Sequence, residues 1–212
     1  SSNTAAALRS MTMAVRTQMI ISLRCQRPSQ AYLLLLITTF LPSAAGLDNG
    51  LARTPPMAWR SWNAYHTDMN QSMIMAVVDE VAKERKEGIS LASLGYDMVG
   101  IDEGWEGCGQ GAHHTQHYAN GTPAVNIAKF PDLKALVAYG HSKGVKMGFY
   151  LNGCACGERE ELRINYEGDV NFTHSLGFDG VKIDSCGQQR NMTLYAELFN
   201  KTRRPIIIEN CH

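Results

Sequence analysis

From residue 57 onward, short apolar runs alternate with amphipathic segments, strand-like then helix-like, and the pattern recurs four times. The runs at 57–60, 96–102, 145–151, 180–184 and 205–209 are rich in β-branched and aromatic residues and almost continuously hydrophobic. Such runs predict strands covered on both faces. Between them, Met73, Ile74, Val77, Val78 and Val81 recur at helical spacing, as do Leu133, Leu136 and Val137, and Leu194 and Tyr195 with Leu198 and Phe199. These stripes predict core-facing helices and carry no chemistry of their own. Lys143-Gly144 and Leu176-Gly177 put a glycine just before the next strand, where a helix ends most easily on a residue without Cβ.

A strict β-then-α order predicts a parallel sheet. Five strands and four helices in that order fit the first part of a (β/α)8 barrel, but a doubly wound sheet shows the same alternation, so periodicity alone does not separate the two. The first 46 residues break the pattern. Arg9, Arg16, Arg24 and Arg27 precede the apolar run 31–41, and Ser43-Ala44-Ala45-Gly46 follows it. That is the order of a secretion signal. The apolar stretch falls short of the roughly 20 residues that span a bilayer, although a signal anchor is an alternative. Met11 or Met13 is the expected start, with residues 1–10 upstream of it. One α/β domain, residues 47–212, remains. Its 166 residues (212 − 46) compare with about 250 for a closed barrel, so an incomplete barrel, broken off before closure, is expected.

Composition narrows the function. Twenty basic residues balance twenty acidic ones, which leaves no net field to gather nucleic acid or an anionic membrane. An uncharged or small partner is expected, with no nucleic acid and no stable membrane insertion. Asn70, Asn120, Asn171, Asn191 and Asn200 each open an Asn-x-Ser/Thr acceptor, as suits an exported chain. Cys108, Cys154, Cys156, Cys186 and Cys211 then fall in a compartment that permits disulfides, and their odd number leaves one without a partner among them. Cys154-Ala155-Cys156 with His113, His114 and His117 does not have the spacing of a zinc site. The histidines are expected in a long, solvated loop after Trp105. No metal or cofactor is expected, and the motifs for acyl transfer, nucleotide hydrolysis and hydride transfer are absent from the sequence.

The polar residues cluster where a parallel α/β fold places its ligand, at the carboxyl ends of the strands. The second run finishes in Asp102-Glu103 with Trp105 behind, the third at Tyr150 with Asn152 close by, the fourth in Val181-Lys182-Ile183-Asp184, and the last in Glu209-Asn210-Cys211-His212. Side chains alternate along a strand, so Lys182 and Asp184 point to one side and Val181 and Ile183 to the other. Burying a lysine and a carboxylate together is costly without a purpose. A structural ion pair inside a barrel is the plainer alternative. Asp102 and Glu103 bring the count to three carboxylates and one ammonium, which favours a catalytic pocket for a polyol.

At these residues a resemblance becomes specific. The stretch from Leu47-Asp48-Asn49-Gly50 through Thr54-Pro55-Pro56-Met57-Ala58-Trp59 to Ser61-Trp62-Asn63 resembles the opening of the α-galactosidase and α-N-acetylgalactosaminidase family, the melibiases of glycoside hydrolase family 27. Gly95-Tyr96 with Ile101-Asp102-Glu103, Phe130-Pro131, His141-Ser142-Lys143-Gly144, Lys146-Met147-Gly148-Phe149-Tyr150 and Gly177-Phe178-Asp179-Gly180-Val181-Lys182-Ile183-Asp184-Ser185-Cys186 continue it in order. The resemblance implies a retaining glycoside hydrolase that removes terminal α-linked galactose from oligosaccharides, glycolipids or glycoproteins. It implies Asp184 as nucleophile, Lys182, Asp102 and Glu103 as partners of the sugar hydroxyls, and Trp62 and Tyr150 as walls of the pocket. A retaining mechanism needs a second carboxyl group as acid and then base. The family carries it on a later strand, and no residue of this chain matches it, so this segment alone is expected to be inactive. Residence in the secretory route, secreted or lysosomal or vacuolar, and a homodimer of the complete protein belong to the same expectation.

Three departures bear on specificity and cross-linking. Glu103 stands where the family has a second aspartate, and its extra methylene pushes toward the place of the galactose hydroxymethyl, which makes β-L-arabinopyranose an alternative sugar. His212 stands where relatives read the 2-substituent of the sugar. Gly104 replaces a family cysteine, Cys156 with Cys186 resembles a bridge the family retains, and Cys108 with Cys154 is the expected second bridge. A galactose-binding protein without catalysis is the rival from another class.

Overall fold

The computed structural model describes residues 49–158 and 161–211. The secretion-signal segment, the expected start at Met11 or Met13, and His212 lie outside the described residues. Five strands, β1 (Met57–Arg60), β2 (Tyr96–Gly100), β3 (Lys146–Leu151), β4 (Gly180–Asp184) and β5 (Ile207–Cys211), pair in parallel. The crossovers carry α1 (Gln71–Ala82), α2 (Leu133–Ser142), α3 (Arg163–Leu176) and α4 (Met192–Lys201).

The spatial order is β1-β2-β3-β4-β5. That order decides between the two architectures left open by the alternation. A doubly wound sheet reverses direction at a switch point, whereas here each strand adds to the same edge, as around a barrel. The sheet is an arc of a (β/α)8 barrel containing five of its strands.

Local chemistry explains where the helices start. Asn70, Asp132 and Asn191 each place a side-chain oxygen on a first-turn amide, of Met73 at 3.0 Å, Ala135 at 2.8 Å and Leu194 at 3.0 Å. Each such cap contributes about 1 kcal/mol. At its other end α3 stops on Gly177, at φ 89°, a left-handed conformation that costs glycine little.

The strand limits shift from the sequence reading in three strands, by a single residue at the start of β3 and further in β2 and β5. β2 ends at Gly100 because the Asp102 amide leaves the ladder for Ser61 Oγ, 2.9 Å away. β5 begins at Ile207, past Pro205, which has no amide to give the ladder. The core lies between sheet and helices. Val99, Met147, Phe149, Val181 and Ile183 point outward from the strands and are buried against Ile74, Val78, Leu136, Val137, Tyr195 and Phe199. Phe149 stacks on Phe178 at 4.3 Å and packs against Trp105 at 4.4 Å. No helix among the described residues is long and apolar enough to cross a membrane.

The opposite, concave face is different. One register row runs Arg60, Gly100, Gly148, Gly180 and Ile207 across all five strands. The next inward-facing row sets Tyr150, Lys182 and Glu209 side by side. Three adjacent glycines beneath three large polar side chains leave a hollow on that face.

Candidate active site

The alternation in β4 holds. Val181 and Ile183 are fully buried toward the helices, while Lys182 and Asp184 project into the hollow. Lys182 Nζ lies 3.0 and 3.3 Å from the two carboxylate oxygens of Asp102 and 3.3 Å from Asp184 Oδ2. One ammonium therefore bridges the end of β4 to the segment following β2, 80 residues away in sequence. The same Nζ sits 5.2 Å over the Tyr150 ring, a cation–π contact that fixes the lysine from β3.

Asp102 is 1% exposed. Its carboxylate also accepts the Glu103 amide at 3.0 Å, and Arg60 Nε lies 3.8 Å from it. Glu103 accepts a hydrogen bond from the Ala155 amide. Burial raises the Glu103 carboxyl above the ordinary carboxylate range, against the pull of that amide, and the nearby Asp102 and Asp184 add to the rise. Burial likewise pushes the Tyr150 phenol well up, reinforced by the carboxylates around it. Tyr150 stays neutral, and its hydroxyl has no hydrogen-bond partner among the described residues. Trp62 lies on the turn Trp62–Tyr65 after β1, 36% exposed and edge-on to His66 at 5.2 Å. The structure thus brings Asp102, Glu103, Tyr150, Lys182 and Asp184 to one face, with Trp62 on the neighbouring turn at the end of β1.

Asn152 completes the placement of Asp184. It is buried, in a left-handed conformation at φ 70°, which asparagine tolerates better than most residues. Its Oδ1 accepts the Asp184 amide at 2.9 Å, and its Nδ2 donates to the carbonyls of Asp184 at 3.0 Å and Cys186 at 2.5 Å. The β3–β4 ladder ends at Leu151 and Ile183. The asparagine amide continues it by one residue, holding the peptide on both sides of the Asp184 side chain.

The cysteines pair differently from expectation. Cys108 is bonded to Cys156 and Cys154 to Cys186, in place of the Cys156–Cys186 and Cys108–Cys154 pairs implied by the resemblance. The reason is local. Asn152 and Gly153 both take positive φ, turning the chain so that Cys154 lies over the end of β4, with its Cα 5.4 Å from that of Cys186. Cys156, two residues on, then faces the loop carrying Cys108, with Cα atoms 4.9 Å apart. The Cys154–Cys186 sulfurs lie within 4.8 Å of an Asp184 carboxylate oxygen. Cys211 is exposed and has no disulfide partner among the described residues.

Several polar residues escaped the sequence reading. Arg60 spans the hollow. Its guanidinium donates to the carbonyl of Ile101 at 3.0 Å, to that of Phe149 at 3.4 Å and to Glu209 at 2.6 Å. Glu106 is buried, its Oε2 accepts the Gly104 amide at 2.6 Å, and burial above all pushes its carboxyl up to about 8.

His117 corrects the expectation of a solvated histidine loop. His113 and His114 are exposed, but His117 is 1% exposed, with Nε2 2.9 Å from Asp169 and Nδ1 3.3 Å from Glu158. Asp169 also accepts from Tyr195 at 2.8 Å and Gln189 at 3.0 Å. This buried clasp ties the loop after β2 to α3, α4 and the segments around both bridges.

Comparison with known proteins then places the chain. A family model described as alpha galactosidase A, Melibiase_2, matches residues 54–212. The chain belongs to the alpha-galactosidase family. A Dictyostelium discoideum protein named Probable alpha-galactosidase is 32% identical over 185 residues, covering 84% of this chain and 45% of that protein. An alpha-galactosidase from Saccharomyces cerevisiae solved with raffinose shares the fold, at TM-score 0.61, 21% identity, 77% of this chain and 36% of that one. A β-L-arabinopyranosidase from Geobacillus stearothermophilus, solved in complex with arabinose, shares it at TM-score 0.60, 17% identity, 76% of this chain and 49% of that one. The chain spans less than half the length of these relatives.

Proposed function

We propose that the protein carrying this chain is a retaining glycosidase that releases terminal α-linked galactose, with Asp184 as nucleophile. One observation carries the reading: Asp184 and Asp102, from two strand ends, share the Lys182 ammonium at the mouth of an arc of barrel, with the Asp184 peptide clamped by Asn152. In the proposed first step an Asp184 oxygen attacks the anomeric carbon as the bond to the leaving oxygen breaks, and a carboxylic acid protonates that oxygen. Water then reverses the attachment. The resemblance assigns the acid to a strand later than these five, and Glu209, on β5, is already held by Arg60. Lys182, Asp102 and Glu103 hydrogen-bond the sugar hydroxyls, and Tyr150 and Trp62 form apolar walls. Family membership and the 32% identical relative support galactose as the sugar.

The secretory route, secreted or lysosomal or vacuolar, is part of the proposal. Two bridges fit an oxidising compartment, and Asn120, Asn171 and Asn200 are exposed where a glycan could attach. With the purified protein expressed from its complete gene, p-nitrophenyl α-D-galactopyranoside is expected to be cleaved with retention. Asp184→Ala is expected to cost about 10⁴-fold in kcat, about 5 kcal/mol. Full turnover by that variant would overturn the reading.

Glu103 supports a second reading, a β-L-arabinopyranosidase. A sugar without the hydroxymethyl leaves room for the longer side chain, and one methylene discriminates by about 1–3 kcal/mol. Glu103→Asp is then expected to move the ratio of kcat/KM for aryl α-galactoside over aryl β-L-arabinopyranoside toward galactose by about 10-fold or more. An unmoved ratio removes Glu103 as the selector.

A further inference from the structure

We propose that Arg60 is a positioning residue of this site, a cationic floor that holds Asp102 for the sugar and is itself anchored by Glu209. The inference rests on the sugar-pocket reading above and extends it to residues that lie beneath the pocket.

The register row explains how an arginine fits there. Arg60 lies in line with Gly100, Gly148 and Gly180. A Cβ at Gly100 would come within 2.9 Å of the guanidinium carbon, and one at Gly148 within 3.4 Å of a terminal guanidinium nitrogen. The missing side chains make the channel through which Arg60 crosses the concave face from β1 to β5. Along that path it donates to two main-chain carbonyls, Ile101 just past β2 at 3.0 Å and Phe149 within β3 at 3.4 Å, and ends on the Glu209 carboxylate at 2.6 Å. Only the planar five-donor fork of arginine makes these contacts together, since a lysine has a single nitrogen to share.

The charges facing Asp102 come from every neighbouring element. Arg60 approaches from β1 at 3.8 Å and Lys182 from β4 at 3.0 Å. Asp184 stands behind Lys182, Glu103 is the next residue, and Glu209 lies on β5 behind Arg60. Two cations therefore serve Asp102, Asp184 and Glu209. Lys182 is shared between the sugar-binding aspartate and the nucleophile, and Arg60 adds a second positive charge beside Oδ2 of Asp102, the oxygen that Lys182 approaches most closely. Without Arg60, Asp102 would draw the ammonium to itself and lose its support from below. Glu209 is the anchor that keeps the guanidinium extended, which also removes it from consideration as the acid/base.

The test uses the purified protein expressed from its complete gene, p-nitrophenyl α-D-galactopyranoside as substrate and free galactose as competitive inhibitor. Arg60→Met is expected to raise the galactose Ki about 10-fold and lower kcat/KM about 10–100-fold, the order for removing one partner of a close, largely buried charge pair. Arg60→Lys is expected to recover little of either. Glu209→Gln is expected to raise Ki about 3-fold, and Arg60→Met/Glu209→Gln to be no worse than Arg60→Met alone, because both act through one chain of contacts. A lowered Tm with unchanged Ki and kcat/KM in Arg60→Met, or single effects that multiply in the double variant, would overturn the inference. If Arg60→Met does not fold, an unchanged Ki in Glu209→Gln does the same. Asp184→Ala in the same assay separates the two readings. Retained turnover there sinks the proposed function, whereas its loss beside a normal Arg60→Met sinks the positioning role alone.

Discussion

Asn152 shows how much of a candidate active site can rest on one amide. Its side chain bonds the backbone on both sides of the Asp184 Cα and also the Cys186 carbonyl. Replacing it with glycine keeps the φ of 70° accessible and removes only the clamp. Asn152→Gly is expected to lower kcat about 100-fold while leaving the galactose Ki within about 3-fold, since displacing a nucleophile by about 1 Å costs that order in rate. Parallel losses in kcat and affinity would show that Asn152 shapes the pocket as a whole. At this scale Lys182 and Asp184 were legible, because strand alternation assigns them a common face. Arg60 was not. It is a single arginine at the end of a four-residue strand, its carbonyl partners lie 41 and 89 residues away, and only strand register reveals the glycines that make room for it.

Among the elements, α3 is the one that the apolar pattern left weakest. Its buried face carries Asn165, Gly168, Asp169 and Thr173 beside Tyr166 and Val170, so it shows little of the stripe that marks α1. The reason is the clasp. Asp169 is turned inward to meet His117, Tyr195 and Gln189, and Gly168 is required because a Cβ there would run into the Gly121 carbonyl oxygen. Burial opposes the charge on His117, but Asp169 and then Glu158 outweigh it and push the imidazole up to about 9.

The folded value therefore lies above the unfolded one of about 6.5. The clasp contributes its full stability below pH 6.5 and loses it as pH rises through about 9, a contribution on the order of 3 kcal/mol. The unfolding midpoint is expected to fall between pH 6.5 and 9, and His117→Leu, which removes the imidazolium from beside two buried carboxylates, to lower it at pH 6 by more than at pH 9. Equal losses at both pH values would mean the imidazole is neutral in the fold. The bridges were misread at the same scale. Two cysteines separated by one residue can exchange partners on paper, and only the turn at Asn152 and Gly153 directs Cys154 to Cys186.

For the whole molecule, alternation announced a parallel α/β sheet, and the strand order β1-β2-β3-β4-β5 made it an arc of a barrel. Periodicity is blind to that order, because it records what each element buries and not which neighbour it pairs with. The site followed from the architecture. Strand ends converge on the concave side, so Asp102, Glu103, Tyr150, Lys182 and Asp184 meet although 82 positions separate the first and last in sequence. The central claim is that Asp184 forms a covalent bond to the sugar. It is tested most directly by incubating the protein, expressed from its complete gene, with a 2-deoxy-2-fluoro galactosyl fluoride and mapping the modified peptide by mass spectrometry. One fluorogalactosyl adduct on the Asp184 side chain is the expected result, and an adduct on any other carboxylate, or inactivation without an adduct, would contradict it.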